Sequence, residues 1–546
     1  MTEQTTTRTQ SVARASAVLA SGSLVSRILG VVRTSMLFAI FSNTTAGDTW
    51  QVANAIPNMI FLLLAGGVVN AVLVPQITKA ERRGADGERY VDTLITVGIL
   101  IMAVATAIFL PLTPYLVRLF ASDRTWDDAA FQLSNDFALI CLPAVFFYGL
   151  YAILGQLLNA RSRFGAYTWA PVLCNIVWIA GLLAYHLNYR DLGAKVTDWS
   201  SPMVRLIAGT MTLGVAAQAL VLLVPLWRDG FRLRPRLKLR GIGLRSAGEV
   251  AAWTFAAVVI AQLGVIVQAK VLTSVDSGYA GKLGFDTAYL LFMTPHGLVT
   301  VSLITALYTG MAKAATAGDD REVGRDLRRG LRMIGVTTIP VAIATLAFGA
   351  AVIRLVFPAN SLQATDAITY VAWALIVALP WYGFFALAQR TFYAYEDGKT
   401  PFQLQVVSTA VATVIAVACY LLPSAYRAVG VALGQSAAAL LTAGLCVGLL
   451  RARMRDLVLF DVVRVHVRAA VACLPGAVLG YALFLLFQAI PGGLLGALLT
   501  LLTATPVFLV SYVAAARRMR VHEVDLLLRP VRSRLTRFLA RGERDV

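Results

Sequence analysis

The chain has 546 residues, of which 58% are hydrophobic and only 14% charged, with a mean hydropathy of +0.72. A soluble globular composition is thereby excluded, and the chain reads as an all-α polytopic membrane protein. Its net charge of +19 would suggest nucleic acid in a soluble domain, but most Lys and Arg fall in alternate connections and at the two ends, which is a topology signal, so no nucleic-acid partner is expected.

Residues 1–16 are polar, and the apolar run that follows contains arginines and lacks a small-residue cleavage site, so no removable signal peptide is expected. Runs long enough to cross about 30 Å of hydrocarbon begin near Ala17, Trp50, Thr93, Ala129, Phe164, Met203, Glu249, Phe285, Gly330, Asp366, Pro401, Val429, Val467 and Gly492, which makes 14 expected spans. An even number returns both termini to one side, and the basic connections place that side in the cytoplasm. Two connections with similar short basic turns, at 156–171 and 389–401, suggest a weak internal repeat. The expected organisation is a tail (1–16), a six-helix lobe (17–227), a basic loop (228–248), a second, pseudo-symmetric six-helix lobe (249–455), a helix pair (456–516) and a basic tail (517–546). The loop and tail alternate basic and apolar residues and suit a surface of anionic lipid headgroups.

Within this frame the first two spans hold the candidate site. Arg27 and Arg33 lie inside an apolar run, where each costs roughly 2.5–3.5 kcal/mol on insertion scales unless a cavity, partner or substrate receives it. Their spacing of six residues separates them by about 240° around the axis, so they cannot share one narrow face. One is expected to meet substrate while the other pairs with Asp48 or sits at the cytoplasmic mouth. The second span adds Asn54, Pro57 and Asn58, a polar, helix-breaking group suited to a bundle interior. His296, next to Pro295, is the histidine placed to carry a proton in a cavity or to bond a neighbouring helix. All five cysteines sit in apolar runs without metal-ligand or disulfide spacing, and no phosphate-binding glycine loop is present, so neither a metal, another cofactor nor ATP hydrolysis is expected.

The ordered motifs Ser26-Arg27-x-Leu29-Gly30-x-x-Arg33, Asp48, Pro57-Asn58, Gly67, Val74-Pro75, Leu158-Asn159-Ala160, Arg163-Phe164, Ala170-Pro171, Asn175 and Lys399-Thr400-Pro401 resemble the MurJ/MviN family of the multidrug/oligosaccharidyl-lipid/polysaccharide exporter superfamily. That resemblance implies a flippase, not an enzyme, that moves lipid II, the undecaprenyl-pyrophosphate-linked peptidoglycan precursor, from the inner to the outer leaflet of the bacterial plasma membrane by alternating access. It implies a cationic cavity, a C-terminal helix pair that forms a groove for the polyprenyl tail, and coupling to a monovalent cation gradient or the membrane potential. Ser26, Arg27, Arg33, Asp48, Asn54 and Asn58 are then the expected substrate-binding residues. Two positions depart from the family pattern, since Phe61 and Leu290 stand where arginines are common. Cell-wall synthesis or regulatory proteins and membrane lipids are the further partners implied. Two other readings remain open: export of an amphipathic drug or another polyprenyl-linked glycan, and a non-transporting scaffold for cell-wall synthesis.

Overall fold

The computed structural model describes residues 2–64, 85–161, 163–190, 192–232, 234–236, 248–454, 456–490 and 493–528. Most of the basic loop 228–248, much of the basic tail, Gly67 and Val74-Pro75 lie outside the described residues. Every regular element among the described residues is a helix, as the apolar runs require, because a backbone N–H or C=O in hydrocarbon must find its partner within the segment. Contacts divide it into two compact units, Met1–Phe285 with Ala416–Ala428, and Asp286–Ile415 with Val429–Val546.

The first unit holds α1 (Thr2–Phe41), α2 (Thr45–Leu64), α3 (Ala85–Phe109), α4 (Thr113–Phe120) and α5 (Asp128–Cys141). It continues with α6 (Ala144–Ala160), α7 (Phe164–Asn188), α8 (Ser201–Leu220), α9 (Leu223–Arg228), α10 (Gly248–Leu272) and the first turn of α11 (Lys282–Pro295). The expected polar tail is not separate from the first span, since α1 is helical from Thr2 onward. α1 packs along α7, α7 along α8, and α2 against α5. At the end of α1 an aromatic cluster closes the unit, with Phe41 stacked on Trp199 at 4.9 Å and Phe137 edge-on to both Trp50 (5.3 Å) and Trp199 (5.0 Å).

The second unit takes most of α11, a π-helical turn (His296–Thr300), α12 (Val301–Thr316), α13 (Asp320–Val356), α14 (Leu362–Ile376) and α15 (Leu379–Ala394). Most of α16 (Lys399–Ala418) and α17 (Ser424–Arg453) follow, then α18 (Phe460–Gln488) and α19 (Leu494–Arg518). α18 and α19 form a tight antiparallel pair against α13. Gly476 permits the approach, because a Cβ there would lie 3.0 Å from the Phe508 Cα. α13 is kinked at Phe348 (φ −142°, ψ 18°), whose ring packs edge-on to Phe508. Arg332 bridges Asp461 of α18 and Glu523 beyond α19, both at 3.2 Å, and so ties the last helices to α13.

Among the described residues 12 helical segments are long and apolar enough to cross a membrane, or 13 if α14 and α15, which meet at a 46° bend, form one span. The expected count of 14 is thus not reached. The shortfall is at the second span, where Asp48, Gln51, Asn54 and Asn58 dilute the apolar character of α2 and the described helix stops at Leu64. Several hydroxyls inside the spans are satisfied locally: Thr106, Thr338, Thr369, Thr442 and Thr500 each donate to the carbonyl four residues back, at 2.6–2.8 Å. These five need no partner from another helix.

Candidate functional site

Ser26 and Arg33 are seven residues apart on α1, two turns, and so share a face. That face meets α7 at Asn175. The Asn175 carboxamide bridges them: its Oδ1 accepts from Arg33 Nη1 at 3.0 Å, and its Nδ2 donates to the Ser26 carbonyl at 3.0 Å and lies 3.4 Å from the Ser26 hydroxyl. The Arg33 guanidinium also lies over the Trp178 ring, one turn further along α7, with its central carbon 4.1 Å from the ring centroid. A desolvated cation–π contact of this kind contributes about 2 kcal/mol. Arg33 Nε is buried and has no hydrogen-bond partner among the described residues. The guanidinium is therefore fixed in direction by one amide and one ring while several of its five donors stay uncommitted. That suits it to receive a phosphate oxygen.

Arg27 is one residue beyond Ser26, rotated by about 100° from the α7-facing stripe. It is half-buried and makes no hydrogen bond or ion pair with any described residue. Of the expected substrate-binding residues, the structure thus brings Ser26 and Arg33 together through Asn175 and leaves Arg27 beside them without an anchor.

Asp48 is elsewhere. It is buried at the start of α2, and its Oδ1 accepts from the Leu283 backbone N–H at 2.8 Å, so the carboxylate caps the N-terminal turn of α11. Gly281 leaves the room, because a Cβ at that position would overlap the Asp48 carboxylate. Neighbouring bonds fasten the same turn: Gly278 N–H donates to the Asn43 carbonyl at 2.7 Å, and Thr45 N–H donates to Ser277 Oγ at 3.1 Å. Arg33 is paired with Asn175 instead of Asp48, and Asp48 has the geometry of a latch between the α1–α2 turn and residues 277–283.

Asn54 and Asn58 lie one turn apart on α2, half-buried and exposed respectively, flanking Pro57. Phe61 faces the bundle, packed against the cluster around Leu150 and Leu154, with its ring 5.7 Å from that of Tyr148. Tyr148 is in turn an electrostatic neighbour of Arg33. In the second unit, Leu290 is 37% exposed. His296 opens the π-helical turn after Pro295; it is buried, edge-on to Tyr382 at 4.8 Å, and its Nδ1 has no hydrogen-bond partner among the described residues. Single π turns inside α-helices are frequent at functional positions, and Thr300 at the end of this one is also buried with an unpartnered hydroxyl.

Sequence reasoning missed the holding of Arg33 by Asn175 and Trp178. The available signal was one amide in the otherwise apolar 172–184 stretch, a residue that would be costly to bury without a partner.

A family model described as "Lipid II flippase MurJ" matches residues 37–503. Among curated proteins, a probable lipid II flippase MurJ from Rhizobium tropici is 25% identical over 433 residues, covering 77% of each chain. The lipid II flippase MurJ of Burkholderia cenocepacia is 27% identical over 403 residues, 72% of this chain and 75% of that one. Among solved structures, a lipid II flippase MurJ in an inward closed conformation matches with a TM-score of 0.71 at 19% identity, covering 92% of this chain and 99% of the other. An inward-facing multidrug resistance MATE transporter of the MOP superfamily matches with a TM-score of 0.62 at 15% identity, covering 79% and 95%. Arg27 and Arg33 precede the stretch matched by the family model, so their role rests on the geometry around them.

Proposed function

Because the chain belongs to the lipid II flippase MurJ family, we propose that it carries lipid II from the inner to the outer leaflet of a bacterial plasma membrane by alternating access. This is transport and not catalysis: no bond of the substrate is made or broken. The observation that carries the reading is Arg33, a cation inside a membrane span whose direction is fixed by Asn175 and Trp178 and whose Nε has no partner among the described residues. Lipid II presents a pyrophosphate, and a planar guanidinium binds such oxygens with short, charge-assisted bonds. Arg27, half-buried and unanchored, is free to follow the phosphate as the carrier changes state. Ser26, Asn54 and Asn58 supply neutral polar contacts for the head group, whereas Asp48 serves the fold.

The positive-inside pattern supports cytoplasmic termini. Pseudo-symmetric lobes, coupling to a monovalent cation gradient or the membrane potential, and association with cell-wall synthesis or regulatory proteins complete the proposal. The test is leaflet-resolved accessibility of lipid II in cells depleted of the protein. Depletion should trap lipid II inside, and the wild-type chain should restore outer-leaflet exposure while an Arg27→Ala/Arg33→Ala chain present at normal level should not. Restoration by that double variant would refute the cationic-site mechanism and favour a scaffold. Similarity to the MATE fold sustains a second reading, export of an amphipathic compound, which efflux of lipophilic cations without lipid II movement would favour.

A further inference from the structure

A second concentration of arginines belongs to the second unit, where the N-terminal turns of α13 meet the end of α17. Here a cavity of about 660 Å³ is lined by Arg321, Arg325 and Arg328 of α13 and by Arg453, over a floor that includes Met454 and Leu457. Residues 321, 325 and 328 follow the i, i+4, i+7 spacing that puts them on one helix face.

Two acids also line the cavity, and both are engaged. Asp320 accepts from the Tyr395 hydroxyl at 2.6 Å, and Asp456 lies 3.7 Å from Arg321. Burial, reinforced by the bond to Asp320, holds the Tyr395 phenol above its ordinary range, so it remains a donor at neutral pH. Arg453 stacks over the Tyr395 ring at 4.2 Å, and Arg328 Nε reaches only the Gly324 carbonyl, at 3.4 Å. Arg325, Arg328 and Arg453 consequently face the cavity without a carboxylate partner among the described residues.

Depth separates the two sources from which an anion could come. α13 has 37 residues, about 55 Å, yet only its uncharged stretch 333–353, about 31 Å, matches the hydrocarbon. Arg328, Arg325 and Arg321 therefore stand about 8, 12 and 18 Å beyond the start of that stretch. The headgroup layer of one leaflet is only about 5–8 Å thick. Most of the cavity is thus at or above the outer edge of the headgroups, where a dissolved anion reaches it more readily than a lipid phosphate. Its volume exceeds that of pyrophosphate alone, and the Met454 and Leu457 floor offers an apolar rest for an attached group.

We infer that this cavity is a binding site for a water-soluble compound of the nucleoside diphosphate class, with its phosphates held by Arg325, Arg328 and Arg453. The inference does not depend on the transport reading, because none of these residues belongs to the Arg33 site.

The experiment titrates ADP, and separately inorganic pyrophosphate, into the full-length protein in nanodiscs of zwitterionic phosphatidylcholine, with heat release as the readout. Saturable binding is expected that weakens as salt rises. Arg325→Gln/Arg328→Gln should reduce affinity by at least about tenfold, since two charge-assisted contacts are lost. Arg453→Gln, on the other helix, should reduce it independently, so a folding defect in one variant does not decide the result. A parallel arm uses discs containing phosphatidylglycerol. If ADP binds nowhere below about 5 mM, or binds equally to all variants, the inference is wrong. It is also overturned if phosphatidylglycerol abolishes ADP binding while its own retention on the protein requires Arg325 and Arg328, because the occupant is then a lipid headgroup.

Discussion

Replacing Asn175 by aspartate separates a guanidinium that merely packs helices from one that serves a substrate. In the native chain Asn175 accepts one bond from the charged Arg33 and donates to Ser26. The first contributes about 1.5–3 kcal/mol and the second about 1 kcal/mol, so Asn175→Ala should loosen α1 from α7 by about 2.5–4 kcal/mol, or roughly 70- to 900-fold in the docking equilibrium. Its membrane level and its transport should both fall. Asn175→Asp behaves differently. The carboxylate keeps an acceptor beside Arg33 and adds an ion pair in a low-dielectric setting, which offsets the lost donor to Ser26. It also neutralises the one charge that the proposed site holds in a fixed direction. The expected result is a normal membrane level with outer-leaflet appearance of lipid II slowed at least about tenfold. Normal transport by Asn175→Asp would refute the reasoning and make Arg33 a helix-packing residue.

Arg27 has no partner among the described residues, so Arg27→Ala and Arg27→Lys should both reach wild-type levels on immunoblots of membranes, with transport impaired more by alanine than by lysine. Equal transport by all three chains would remove Arg27 from the site. Gly281→Ala places a methyl group on the Asp48 carboxylate and should lower thermal stability by about 1–3 kcal/mol. Asp48→Asn, which keeps an acceptor for the Leu283 N–H, should retain most transport, whereas an essential negative charge at Asp48 would show as a dead but folded variant. Phe61→Arg, which points into the bundle beside Tyr148, should insert normally; failure to accumulate in the membrane would mean that position 61 faces lipid.

The helices were legible from sequence because hydrocarbon demands long apolar runs, and Glu249, Pro401 and Val467 each begin a stretch that lies within a spanning helix. α2 was harder to read, since its polar residues suit a bundle interior and weaken the signal used to find a span. At the site, the sequence showed that Arg33 needs a partner but could not say which. Asp48, fifteen positions on, was the nearest opposite charge, yet Asn175 is the partner because the α1–α7 packing sets a seven-residue stripe against one amide. Asp48 was read through its charge alone, while its environment is set by the backbone of a turn more than two hundred residues away. Pairings of this kind follow from tertiary register, which composition and periodicity do not encode.

The link between Arg33 and Asn175 also constrains how the chain is made. Several buried threonines within the spans bond their own helix and wait for no later segment. α1 differs, because Arg33 waits for an amide 142 residues downstream. At about 5–20 residues per second that delay is roughly 7–30 s. During it the first helix carries two arginines that insertion scales penalise by roughly 2.5–3.5 kcal/mol each. The arrival of Asn175 on α7 therefore offsets the cost of Arg33 alone, and the cost of Arg27 is left to whatever hydrates or occupies the site.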